Sequence, residues 1–188
     1  LGGFANATWL PKTPQPDAAS LTAIAGGDLC ACNHVLDEVA RVFLHAPFDR
    51  DGDIAMRGRA NATAVAKLQG ALLAGLTLGG SLGSGDEHFE QTRNVLRTLS
   101  AADAARSACA AVAGAIATRL RERGWAPQRV IAAGGGVQNA ALLDALQREL
   151  QQPVLPSDAH GVPSTYREAA AMAVLGADRR HQRDFLAV

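Results

Sequence analysis

The run Arg129-Val-Ile-Ala-Ala-Gly-Gly-Gly-Val-Gln-Asn-Ala-Ala-Leu-Leu-Asp-Ala-Leu146 constrains this chain more than any other. Its apolar opening predicts a short buried strand over residues 129–133, and its close predicts an amphipathic helix over residues 140–150. Between them stand Gly134, Gly135 and Gly136. With no Cβ, they let the backbone turn sharply and lie flush against a flat ligand. The helix then aims its first N–H groups at the turn, which suits a phosphate or another polar group. Asn139 adds an amide in that helix's first turn. The same residues would also serve as a tight strand-to-helix connection with no ligand.

The rest of the chain extends an α/β pattern. Strands are predicted at residues 4–10, ended by Pro11, at 21–25 before a Gly26-Gly27-Asp28 turn, and at 153–156. Val35, Leu36, Val39, Val42 and Phe43 fall at helical spacing over residues 33–45. Further helices are predicted at 60–76, 87–99, 101–123 and 165–177, with a charged loop at 48–53 and a Gly/Ser-rich break at 79–85. The 101–123 helix ends in Arg119, Arg121 and Arg123, which complement its dipole, and Gly124 stops it.

Composition excludes several classes. Hydrophobic residues make up 48% and charged residues 19% of the 188, a globular balance rather than a disordered one. The formal net charge of +0 favours neither nucleic acid nor an anionic membrane as a partner. No apolar run reaches membrane-spanning length. Cys30, Cys32 and Cys109 are odd in number, and one Cys-x-Cys pair falls short of a zinc site. No metal site is expected from protein side chains, Cys109 reads as a small core residue, and a reducing cytoplasm fits best.

Other short patterns carry chemistry. Gly2-Gly3 precedes a strand, with Asn6 beyond. Such glycines either let main-chain N–H groups approach phosphate oxygens or simply open the strand. Asp28 follows a predicted strand and a glycine pair, which would set its carboxylate at a strand's C-terminal edge, where α/β folds place ligands. It could equally cap the next helix. Asp49-Arg50-Asp51-Gly52 begins like a Ca²⁺ loop, but no late Glu completes it, so a solvated turn is expected. His160 reads as a surface loop residue.

Taken in order, Leu1-Gly2-Gly3-Phe4-Ala5-Asn6-Ala7-Thr8, Gly27-Asp28, Asn33 with Leu36-Asp37, Phe48-Asp49-Arg50-Asp51-Gly52, the triple glycine with Asn139, and Gly161-Val162-Pro163 with Arg167-Glu168-Ala169 resemble the second half of the anhydro-N-acetylmuramic acid kinase family. That family reads NIGGIANLT, GFDTGPGN with LLD, a YDKDG-like loop, GGGxxN and a Gly-Ile/Pro stretch with RE-A. The resemblance spans nearly the whole chain and belongs to the sugar kinase/Hsp70/actin superfamily.

The resemblance implies an α/β fold of ribonuclease H-like (actin-like ATPase) type, present in part. Residues up to about 125 would form the substrate and phosphate segment, and about 126–188 the adenosine segment. Because Leu1 falls inside a motif, and the family's first phosphate loop appears nowhere here, an N-terminal lobe is expected to be missing and this chain alone to be nearly inactive. By resemblance, Asp28 is the catalytic base that activates a water against the anomeric carbon of the 1,6-anhydro sugar. The freed O6 then takes the γ-phosphoryl group of ATP, in cell-wall recycling. Gly2, Gly3 and Asn6 would meet the nucleotide phosphates, and Gly134, Gly135, Gly136 and Asn139 the adenosine. Asn33 and Glu168 would hold the sugar, though Glu168 would also suit a helix dipole. ATP and Mg²⁺ are the implied cofactors. The long helices could pair in a homodimer, though no residue pattern specifies it.

The chain departs from the family in two places. Leu29-Cys30-Ala31-Cys32 replaces Thr-Gly-Pro-Gly before Asn33, and Gly79 to Glu87 lacks the family's Lys and Arg. A divergent branch follows, with another sugar, ATP hydrolysis or mere nucleotide binding as alternatives.

Overall fold

Among the described residues, two small sheets meet around one long alanine-rich helix. In a computed structural model of the chain, the described residues are 1–12, 22–74, 88–166, 169 and 171–173. Strand β1 (Phe4–Trp9) pairs antiparallel with β2 (Ala25–Ala31). Strand β3 (Val130–Ala132) pairs parallel with β4 (Val154–Pro156). A parallel pair needs a crossover, and the intervening helix supplies it.

The helices are α1 (Asn33–Val39), α2 (Asp53–Arg57), α3 (Ala62–Ala74), α4 (Phe89–Leu96), α5 (Ala101–Glu122) and α6 (Ala140–Leu150). A π-helical turn at Ala40–Leu44 continues α1 and ends on His45 at φ 53°. Ser100 starts α5 by accepting a hydrogen bond from the Asp103 N–H, and Gly124 at φ 69° follows its end. Helix α5 runs through the core with Ala104, Ala108, Ala111, Val112 and Ala115 wholly buried. Its small side chains let neighbours approach closely. A Cβ on Gly58 would come 2.8 Å from the Asp103 nitrogen, and one on Gly114 would come 2.7 Å from Gln69 Oε1. Charges pin the periphery: Arg106 of α5 pairs with Asp144 of α6, and buried Glu38 of α1 pairs with Arg41 at 3.2 Å and Arg93 at 2.5 Å.

Three expectations are corrected. Gly26, Gly27 and Asp28 form no turn; they lie inside β2, opposite Thr8, Ala7 and Asn6. The apolar segment expected as the strand ended where the real strand begins, because β2 buries Leu29-Cys30-Ala31 and exposes its glycine half, so it shows no alternation. The loop at 48–53 holds a 3-10 turn, Arg50–Gly52, and leads straight into α2. Asp49 caps that helix, accepting from the Ile54 N–H at 3.0 Å and the Ala55 N–H at 2.9 Å, so it is not a merely solvated carboxylate. The helix expected from 165 opens as a 3-10 turn, Ser164–Tyr166. The break at 79–85 and Leu21 lie outside the described residues.

The two sheets are sewn together at the chain's first residue. The Leu1 nitrogen donates to Ala133 O at 2.5 Å, and the Gly136 N–H donates to Leu1 O at 2.9 Å. Past this seam, a hollow of about 240 Å³ lies between β1 and β3, walled by Leu29, Ile116 and Leu146. Trp9 and Trp125 stack at its rim, 6.1 Å between ring centroids, with the Arg123 guanidinium 5.1 Å from the Trp125 ring.

Candidate active site

A cleft of about 520 Å³ opens where the Gly2-Gly3 segment faces the triple-glycine turn. Asn6, Asp28, His34, Gly134, Gly135 and Ser164 are among its lining residues. A bulge in the hairpin aims two of them. Ala5 pairs with Cys30, but the next residue, Asn6, pairs with Asp28, leaving Leu29 as the extra residue of β2. Such a bulge re-aims side chains beside it. Asn6 and Asp28 thereby sit as cross-strand partners on one cleft wall. Arg123, at the far end of α5, steadies this strand: its Nη2 donates to Asp28 O at 2.7 Å. Asp28 is therefore no helix cap, and it does not stand at the C-terminal edge of its strand.

The glycines hold the walls in place. Gly3 O accepts from the Cys32 N–H at 2.8 Å and the His34 N–H at 3.2 Å, and Gly2 O accepts from the Asn33 N–H at 3.0 Å. The start of α1 is thus occupied by protein carbonyls. Gly134 takes φ 94°, which favours glycine, and its N–H donates to Ser164 O at 2.9 Å. Ser164 is buried and bonded to Ser157 and Asp158, whose carboxyl it holds below the usual carboxylate range.

Not every expected residue joins this cleft. Asn33 lines a neighbouring cleft of about 310 Å³ with Asp37, Asp49, Arg50 and Asn139. Gly135 borders both, so the triple-glycine turn is the partition between them. Burial raises the Asp37 carboxyl above its ordinary range, against the pull of Arg41 and His34. Asn139 does not sit inside the first turn of α6. A 3-10 turn, Gly135–Gln138, precedes it, and Asn139 is the N-cap, its Oδ1 accepting from the Leu142 N–H at 3.0 Å. Glu168 lies outside the described residues.

The Cys-x-Cys replacement is core filling. Cys30, Cys32 and Cys109 are free and buried. Burial is the main force pushing Cys32 and Cys109 from 9.0 up to about 12, and Asp49 adds repulsion at Cys109. Burial and then Cys32 raise Cys30 well above 9.0. Such thiols are poor nucleophiles at neutral pH. They also make the fold sensitive to alkali. Each stays neutral in the folded chain at neutral pH but ionises near pH 9 once unfolded, so its stabilisation is whole below that pH and is lost as pH rises above it, towards 12 for Cys32 and Cys109. The loss is about 1.4 kcal/mol per thiol per pH unit in that window. The urea midpoint at pH 10 should fall well below that at pH 7.5, and Cys109→Ala should remove roughly a third of the fall. Equal midpoints at the two pH values would contradict the burial of these thiols.

Sequence reasoning assigned no role to His34 or Ser164. Only the pairing of Gly3 with the start of α1, and of Gly134 with Ser164, brings them to the cleft. His160 is exposed, as expected. Among the described residues, no cluster of three or more His, Cys, Asp or Glu side chains could hold a metal ion, and no helix is long and apolar enough to cross a membrane.

The family model described as anhydro-N-acetylmuramic acid kinase matches residues 1–182. Proteins named anhydro-N-acetylmuramic acid kinase from Acidiphilium cryptum and Synechococcus sp. are 34% and 32% identical to this chain, each over 93% of it. The one from Roseobacter denitrificans is 30% identical over 94% of the chain. The alignments cover 46%, 48% and 46% of these relatives, so the chain spans about half their length. Among solved structures, the activator of the 2-hydroxyisocaproyl-CoA dehydratase from Clostridium difficile with bound ADPNP superposes with a TM-score of 0.59 at 16% identity. It covers all of this chain and 62% of that one, and it shows an actin-like ATPase fold.

Proposed function

This chain belongs to the anhydro-N-acetylmuramic acid kinase family, and from that premise we propose that it is part of an enzyme that phosphorylates 1,6-anhydro-N-acetylmuramic acid with ATP while opening the anhydro ring. The observation that carries the reading is the pairing of Asp28 with Asn6 across the hairpin bulge, in a cleft walled by both glycine motifs. In the proposed reaction, the Asp28 carboxylate takes a proton from water. The water oxygen bonds to the anomeric carbon, the bond from that carbon to O6 breaks, and O6 attacks the γ-phosphorus with release of ADP. The product is N-acetylmuramic acid 6-phosphate, an intermediate of peptidoglycan recycling in the cytoplasm.

The cleft fits a polyphosphate. Among the described residues, a Cβ on Gly135 would meet only Asn33, at 3.8 Å, and one on Gly2 only Phe4 O, at 3.7 Å, so both glycines leave room for a ligand to press against the backbone. Gly2, Gly3 and Asn6 are proposed to face the phosphates. Gly134, Gly135, Gly136 and Asn139 are proposed to face the adenosine, and Glu168 the sugar; Asn33 lies across the Gly135 partition from Asp28, so it is not assigned to the sugar that Asp28 reaches. Residues up to about 125 would then serve substrate and phosphate, and about 126–188 the adenosine. Mg²⁺, which neutralises phosphate charge during the transfer, would rest on phosphate oxygens and water, leaving the Asp28 carboxylate free to act as the base.

The test uses the intact protein as purified from its source, with 1,6-anhydro-N-acetylmuramic acid, ATP and Mg²⁺ in ¹⁸O-labelled water. The expected product is the 6-phosphate carrying one ¹⁸O at the anomeric position, read by mass spectrometry. Phosphorylation of a different sugar in a panel would move the reading to another substrate. ADP release with no sugar phosphate would make it an ATPase.

A further inference from the structure

We infer that His34 is a nucleotide-phosphate ligand of this chain, supplying the cationic or hydrogen-bond-donating group that grips the terminal phosphoryl group; the inference rests on the kinase reading above. Four observations converge on it. His34 lines the same cleft as Asp28, Asn6 and Gly135. No Lys or Arg lines that cleft among the described residues, so a polyphosphate entering it meets an imidazole as the basic side chain. The ring is fixed from two sides. It packs edge-on to Phe4, 4.8 Å between centroids at 64°, and it covers Gly3 so closely that a Cβ there would come 2.8 Å from His34 Cδ2 and closer still to Nε2. Finally, no hydrogen bond reaches either ring nitrogen from the described residues, although the backbone N–H of His34 is bonded to Gly3 O. A half-buried ring held against the Gly2-Gly3 segment, with the Asp37 carboxyl as an electrostatic neighbour but neither nitrogen hydrogen-bonded among the described residues, is preorganised to donate to an anion lying on that segment.

The position makes chemical sense beside the sequence's departures. The Gly-Pro-Gly of the family loop is replaced here by residues that fill the core, and Asp28 brings a negative charge into the cleft. A polyphosphate needs a compensating donor on the Gly3 side, and His34 is the side chain placed there.

The experiment compares binding of ADP and of a non-hydrolysable ATP analogue to the intact protein by calorimetry, with His34→Ala and His34→Gln as variants. Removing one charge-assisted hydrogen bond should weaken the triphosphate analogue about 10- to 100-fold. ADP should weaken less than about 3-fold, because it lacks the terminal group that His34 grips. His34→Gln, which keeps a donor, should recover part of the loss. Thermal unfolding of each variant separates lost packing from lost binding. A His34→Ala protein that folds and binds the analogue as the wild type does, or that loses ADP and analogue equally, overturns the inference. If His34→Ala does not fold, His34→Gln decides: analogue affinity held at the wild-type value, or lost no more than that of ADP, overturns it. Failure of the wild type to bind either nucleotide would instead remove the kinase reading itself.

Discussion

Replacing Asp28 with Asn should reduce formation of the sugar phosphate by about 10²- to 10⁴-fold, the range expected when a positioned general base is removed. The change is nearly isosteric. It leaves the backbone partners of β2 intact, including the 2.7 Å bond from Arg123 to the Asp28 carbonyl. The strand should therefore keep its register against Asn6, and nucleotide affinity should change by less than about 3-fold. Loss of turnover with retained nucleotide binding is the signature of a group needed only in the reacting state. The measurement is kcat for the ¹⁸O-labelled product, alongside calorimetric binding of ADP. A variant that turns over within threefold of the wild type would take the base role away from Asp28. Asp37, in the neighbouring cleft with its carboxyl lifted by burial, would then be the next carboxylate to replace.

The three consecutive glycines should respond very differently to alanine. Gly134 sits at φ 94°, and a Cβ there would come 2.6 Å from Leu1 O and 2.9 Å from Leu1 C. Both are backbone atoms of the seam between the sheets, so they cannot swing aside. Left-handed strain of about 1–2 kcal/mol adds to the clash, and Gly134→Ala should cost about 3 kcal/mol or more in total. At Gly136 a Cβ would meet Leu1 Cβ at 2.8 Å and Leu1 O at 3.1 Å, both fixed to the same seam backbone, but with no left-handed strain to add, so the cost there should be smaller than at Gly134. At Gly135 the nearest atom is Asn33 Nδ2 at 3.8 Å, an ordinary contact. Gly135→Ala should leave stability within about 0.5 kcal/mol and still weaken nucleotide binding about tenfold or more, because the ligand needs the space that the methyl fills. Urea unfolding and nucleotide titration of the three variants check this. If Gly135→Ala binds nucleotide normally, the turn is a structural connection and the ligand lies elsewhere.

Much of the local structure was legible because it depends on near neighbours. The apolar pattern after the triple glycine bounds α6, which runs over Ala140–Leu150 as predicted, with Asn139 just outside it as the N-cap rather than in its first turn. Gly124 likewise marks the end of α5, whose last residue is Glu122. The glycine motifs, read in order, pointed to the family that the comparison confirms. Strand β2 was misplaced because its two halves obey different rules. Gly26 and Gly27 pair with β1 through the backbone alone, and Leu29 to Ala31 are buried without alternation.

The sequence by itself determined the repeating elements, the glycine turns and the family, since helix periodicity, caps and turn residues act over a few positions. Only the tertiary structure decided which residues share a cleft. A one-residue bulge at Leu29 sets Asp28 beside Asn6, the carbonyls of Gly2 and Gly3 occupy the start of α1, and Leu1 ties the hairpin to the triple-glycine turn. These contacts put His34 in the cleft with Asp28 and send Asn33 to the far side of Gly135. Adjacent residues on a helix point about 100° apart, so neighbours in sequence can serve different clefts, and only the packing of that helix says which.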